Sequence, residues 1–187
     1  MKSRRGALVL LVAITGCSVS GPATSGVSQS GQAPVVVGET SYPVGQRPLV
    51  AALSGPTLTG STLSLQSLIG NIVVLNAWAS WCDPCRQESP DLAKVSRALA
   101  AAGVRFVGLD EQDITSHAIA FAKQVGADYP HLIDSDGSLL VKLAIVPPAA
   151  IPSTLVIDRT GHVAARFIGA TTAAKLTVVL KRVLAGK

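Results

Sequence analysis

The 187-residue sequence predicts an α/β domain, one mixed β-sheet with helices on both faces. Three observations carry this expectation. Two β-branched apolar runs, "IVVLNAW" (72–78) and "VRFVGLD" (104–110), read as strands buried on both faces, and a helical pattern follows each. Near the C-terminus "STLVID", the tight turn "RTG" and "HVAARFIG" form a hairpin, which makes the sheet mixed. A hydrophobic content of 48% with 14% charged residues suffices for the core of one domain, and the length leaves no room for a second.

The chain opens with Lys2, Arg4 and Arg5 ahead of the apolar "GALVLLVAITGC", the anatomy of an export signal over residues 1–16. The apolar run is too short for a bilayer core, which takes about 20 residues. Its end, "ITGC", resembles a bacterial lipobox, in which the chain is cut before Cys17 and the lipid is carried on that cysteine; Ile14 stands where leucine is usual. Removing three of the 16 basic residues leaves 13 against 11 acidic ones. With no clustered basic face, a nucleic-acid partner is not expected. Residues 17–48 are rich in Ser, Gly, Pro, Thr and Val without any period, which reads as a flexible tether, or with an edge strand at "PVVV".

The domain is expected over 49–187. "GPTLTGSTLSLQSLIGN" gives two short strands around Thr59-Gly60 and a one-turn helix at 65–68. After the first buried strand a helix begins near Pro84, a residue tolerated in a first turn, and Leu92, Val95, Leu99 and Ala102 form its inward stripe up to Gly103. The second buried strand leads to a helix near 116–125, a loop "DYPHLIDSDG", a short helix "SLLVKLAIV", the hairpin, and a closing helix "TTAAKLTVVLKRVLAG".

Chemistry concentrates in "NAWASWCDPCRQESP" (76–90). Three readings of Cys82 and Cys85 compete. A structural zinc site needs four ligands, yet the other candidates are Cys17 and the scattered His117, His131 and His162, so no metal is expected. A purely structural disulfide across two residues restricts little loop entropy. A redox couple accounts for the placement: a cysteine at a helix N-terminus meets unpaired N–H groups and the positive end of the dipole, which lowers its thiol pKa. Cys82 is the expected exposed attacker, and Cys85, a turn further in, the shielded thiol that resolves a mixed disulfide. If Cys17 is lipidated, these two form the only possible intrachain pair.

"VVLNAWASWCDPCRQESPDL" resembles the active-site segment of thioredoxin-fold proteins of the TlpA/ResA type, and "YPHLIDSDGSLLVKLAIVPPAAIPSTLVIDRTGHVAARFIG" resembles their later stretch. The resemblance runs from about Leu49 to the C-terminus and implies a thioredoxin fold with an N-terminal β-hairpin extension. It implies Cys82 as nucleophile, Cys85 as resolving thiol, and Pro152 as the cis-proline facing them. Ile151 would offer a backbone edge to a partner's extended peptide. Trp81, Asp83 and Pro84 border the site as substrate-contacting positions. Asn76 occupies the place of thioredoxin's buried aspartate and cannot exchange protons, whereas Glu88 matches a glutamate of ResA-like members and could relay one to or from Cys85. Asp83 should raise the Cys82 pKa and temper oxidising character; Asp83→Asn should then shift the thiolate titration downward.

The expected protein is an extracytoplasmic, lipid-anchored, monomeric thiol–disulfide oxidoreductase without a cofactor. Its partners would be protein thiols and disulfides together with a membrane electron donor or oxidant. The family's best-known task, keeping apocytochrome c haem-binding cysteines reduced, favours a reductant. A disulfide-forming oxidant, a peroxiredoxin-like peroxidase and a non-enzymatic binding module are the alternatives.

Overall fold

A computed structural model describes residues 37–187; the signal segment 1–16, Cys17 and most of the expected tether lie outside them. The elements are β1 (Gly38–Ser41), β2 (Ser54–Pro56), β3 (Thr62–Ser64), β4 (Ile72–Trp78), α1 (Asp83–Leu99), β5 (Val104–Glu111), α2 (Thr115–Val125), β6 (His131–Asp134), α3 (Ser138–Lys142), β7 (Ser153–Ile157), β8 (Val163–Ile168) and α4 (Ala173–Leu184). Six strands form one sheet in the order β1-β8-β7-β4-β5-β6, and β2 and β3 form a separate hairpin. β4 pairs in parallel with β5 and antiparallel with β7, so the sheet is mixed as expected.

Strand periodicity divides the core. Val73, Leu75 and Ala77 of β4 pack on one face with Val107, Leu109, Leu140 and Leu155. Ile72 and Val74 point the other way, against Leu92 and Val95 of α1 and Leu176, Val179, Leu180 and Val183 of α4. Leu92, Val95 and Leu99 of the inward stripe expected for α1 are therefore what joins that helix to the sheet, whereas Ala102, expected in the same stripe, falls beyond the end of α1 and is exposed.

Two segments differ from expectation. The sheet begins inside the stretch expected as tether, because Gly38–Ser41 adds to the edge beside β8 in the register Gly38↔Ile168 to Ser41↔Ala165. Such a strand is held by main-chain hydrogen bonds and needs no apolar alternation; its neighbour Val37, from the "PVVV" run, is exposed. The expected loop "DYPHLIDSDG" contains β6, parallel to β5 from Gly108↔His131 to Glu111↔Asp134. Four residues between a proline and a Ser-Asp-Gly turn are too few for periodicity to register. Among the described residues no helix is long and apolar enough to cross a membrane.

Candidate active site

The buried strand β4 delivers the chain to the cysteines. Cys82 caps α1 in an extended conformation, and its sulfur accepts the Cys85 N–H at 3.3 Å. Pro84 in the first turn leaves no donor unpaired there. Cys82 and Cys85 are joined as a disulfide at the positive end of the 17-residue helix. Cys85 is fully enclosed, as expected, but Cys82 retains only 6% exposure and is more covered than the expected attacker. Both belong to a cluster with Trp78 and Phe121, against which Ile151 packs.

The Ile151–Pro152 peptide is cis, one residue beyond the Ala77↔Ser153 pair of β4 and β7. The Pro152 carbonyl accepts the Gly169 N–H at 2.9 Å, which fixes this turn to the end of β8. Trp81 is 59% exposed, with its indole N–H donating to the Gln112 carbonyl at 3.3 Å. Asp83 and Pro84 are exposed in the first turn of α1.

Glu88 lies three residues beyond Cys85, on the same side of α1, and is buried. Its Oε1 accepts the Asn76 amide at 2.8 Å, and its Oε2 accepts the Thr171 N–H at 2.8 Å. Burial raises its pKa to about 7, against the lowering effect of those two donors. The group is thus poised to take or release a proton near neutrality. Asn76, which also donates to the Thr154 hydroxyl at 3.0 Å, holds the glutamate in place.

Other residues had drawn little notice in the sequence. The Trp78 indole N–H donates to His131 Nδ1 at 3.1 Å, so this nitrogen is the acceptor and Nε2 carries the proton toward the Ala127 carbonyl at 3.1 Å. Burial lowers the His131 pKa, and the ring is a neutral prop. Arg86 does more than face solvent: Nη1 donates to the Ser80 carbonyl at 3.0 Å, and its guanidinium lies 4.6 Å above the Phe121 ring. Asp113 Oδ2 accepts the Ser80 N–H, and its Oδ1 accepts the Ser80 hydroxyl at 3.0 Å. The available signal for these contacts was "LDEQD", with three acids at and just beyond the end of a buried strand. Among the described residues no group of three or more His, Cys, Asp or Glu is arranged to hold a metal.

Residues 48–166 match the AhpC/TSA family. The chain belongs to this family. It is 29% identical over 126 residues to thiol-disulfide oxidoreductase ResA of Bacillus thuringiensis subsp. konkukian, covering 67% of this chain and 71% of that protein. It is 31% identical over 118 residues to the thiol:disulfide interchange protein HelX of Rhodobacter capsulatus, covering 63% of each. Among solved structures, a DsbF homologue from Corynebacterium diphtheriae superposes with a TM-score of 0.75 at 35% identity, over 81% of this chain and 96% of that one. A secreted thiol-disulfide isomerase from Corynebacterium glutamicum gives 0.77 at 29% identity, over 84% and 98%. The fold is the thioredoxin fold with an added N-terminal strand, and this AhpC/TSA member is a thiol–disulfide oxidoreductase.

Proposed function

We propose that Cys82 and Cys85 are the redox couple of this oxidoreductase, and that it works outside the cytoplasm as a reductant of protein disulfides, tethered through a lipid on Cys17. The observation that carries the reading is the placement of the pair: a disulfide at the positive end of α1, with a buried acid of raised pKa one turn below. In the reduced enzyme the Cys82 thiolate attacks a substrate disulfide, forming a mixed disulfide and releasing one substrate thiolate. Glu88 accepts the Cys85 proton. The Cys85 thiolate then attacks the Cys82 sulfur, the second substrate thiolate leaves, and two electrons have passed from the couple to the substrate. A membrane donor must return them.

The exposed Trp81 and the edge at Ile151–Pro152 flank the sulfurs and suit an extended peptide bearing the substrate cysteines. Apocytochrome c is a substrate of this chemistry. The deciding experiment is the reduction potential of the Cys82–Cys85 couple, measured with its redox state in intact cells. A potential close to thioredoxin's, about −270 mV, with the pair found reduced, supports this direction; one close to about −120 mV, with the pair oxidised, makes the enzyme a disulfide-forming oxidant. Rapid turnover of hydrogen peroxide by the purified protein would favour a peroxidase. If a Cys85→Ala variant captured no protein through Cys82, a binding module would be the better reading.

A further inference from the structure

Ser80, two residues before Cys82, is held at each of its polar groups. Its N–H and hydroxyl are taken by Asp113 and its carbonyl by Arg86. Asp113 Oδ1 also accepts the Ile114 N–H at 2.7 Å, so this carboxylate collects its donors from both segments and ties the β5–α2 loop to the segment leading into α1. Behind it lies Asp110, at the end of β5 and paired in register with Trp78 of β4. Asp110 is 1% exposed, and among the described residues no donor reaches either of its carboxyl oxygens. An ionised carboxylate so enclosed and unpaired is too costly to persist. Asp113 lies beside it, and a neighbouring carboxyl further favours the protonated form of Asp110.

We infer that Asp113 is a positioning residue for Cys82, and that the proton held by the buried Asp110 beside it is coupled to the redox state of the cysteine pair. The inference rests on Cys82 being the attacking sulfur. Asp110, enclosed and reached by no donor, is the group that holds the proton. Burial, then the charge of Asp113 and the hydrogen bond between them, push Asp110 up to about 7.

The surrounding charges are few. Glu111, next along β5, is itself pushed up to about 7, by burial and then by its contact with Asp134. Arg86 from α1 binds the far side of Ser80. His131 of β6 is held neutral by Trp78 and by burial. On α2 the titratable side chains, His117 and Lys123, are exposed. Reduction of the disulfide places a thiolate at Cys82, and this new charge disfavours a second carboxylate nearby. The reduced protein therefore keeps the Asp110 proton to higher pH, and by reciprocity loss of that proton disfavours the Cys82 thiolate.

Carbon-13 NMR of the aspartate carboxyls in the full-length protein tests this without any substitution. Asp110 should titrate near neutrality in the oxidised form and at clearly higher pH in the reduced form; identical titrations overturn the coupling. Alkylation of Cys82 by iodoacetamide between pH 5 and 9 should show an inflection beyond that of the thiol itself. Asp110→Asn should remove only that extra inflection. A wild-type profile with a single inflection, or a variant that keeps both, overturns the coupling as well. Asp113→Ala should slow insulin reduction about tenfold, with Asp113→Asn recovering part of the rate; an unchanged rate removes the positioning role. Wild-type protein unable to reduce insulin, with Cys82 unreactive, would instead defeat the Cys82–Cys85 reading beneath it.

Discussion

At Gly108 the backbone of β5 runs directly beneath the Trp78–His131 hydrogen bond. A Cβ there would lie 2.0 Å from His131 Nδ1 and 2.7 Å from Trp78 Nε1, closer than atoms can approach. Neither ring can retreat, since both are buried and His131 is also tied to Ala127. Gly108→Ala should therefore break this bond and overfill the site, costing about 3 kcal/mol; a urea denaturation midpoint that falls with an unchanged slope checks it. Glu88 makes a second prediction at this scale. If its carboxylate accepts the Cys85 proton, the rate of disulfide reduction should rise with pH through about 7, as the group ionises. Glu88→Gln keeps an acceptor for Thr171 and should lose that rise, with turnover above pH 7 reduced about tenfold or more. A variant whose pH–rate profile overlays the parent's would show that Glu88 only fills space.

Among elements, the junction of α1 and α4 is built from two acids of α1 acting on the start of α4. Glu88 accepts the Thr171 N–H just before the cap of α4, and Asp91 Oδ2 accepts the Ala173 N–H at 2.8 Å, so the entry to α4 and its first donor are met from a neighbouring helix. Asp91 stands apart from the sulfurs, and Asp91→Ala should destabilise the fold by about 1 kcal/mol while leaving the reduction potential unchanged. Thermal unfolding and the potential, measured on one sample, separate the two effects. α1 was legible in sequence because its determinants are local: a cap residue, a proline and a helical apolar stripe. β4 and β5 were legible because strands buried on both faces must be apolar throughout. β1 and β6 were not, since four residues at a sheet's margin owe their place to register with β8 and β5. The site divides similarly. Cys82, Cys85 and Pro152 lie in motifs, and Glu88 follows at helical spacing. In the clamp of Asp113, Arg86 and Ser80, the Arg86–Ser80 contact is local, but Asp113 is brought to it only by the β4–β5 pairing, and the burial of Asp110 cannot be read from an isolated "LDEQD".

At the scale of the whole molecule, three carboxyl groups among the described residues have pKa values raised to about 7, namely Glu88, Asp110 and Glu111, and burial is the leading cause in each. A carboxyl with a folded-state pKa above its unfolded value holds its proton more tightly when folded. Its stabilising contribution is complete below the unfolded pKa of about 4 and is lost as pH rises to about 7. Asp158 acts in the opposite sense. Burial pushes it up, but hydrogen bonds from Thr160, Arg47 and the His162 N–H prevail and hold it below the ordinary carboxylate range, so its contribution is lost in acid. The two trends enclose a maximum. The oxidised protein should be most stable at mildly acidic pH, near 5, and weaker at pH 8 by on the order of 3 kcal/mol. Urea is the suitable denaturant, because guanidinium would screen the charges in question. Glu88→Gln should shallow the decline between pH 5 and 8, and Asp110→Asn should do so independently, as Glu88 lies on α1 and Asp110 on β5 without a shared hydrogen-bond partner. A stability that is flat or still rising from pH 5 to 8 would mean that these carboxyls ionise without penalty, and the proton relay and the carboxyl pair would lose their common basis.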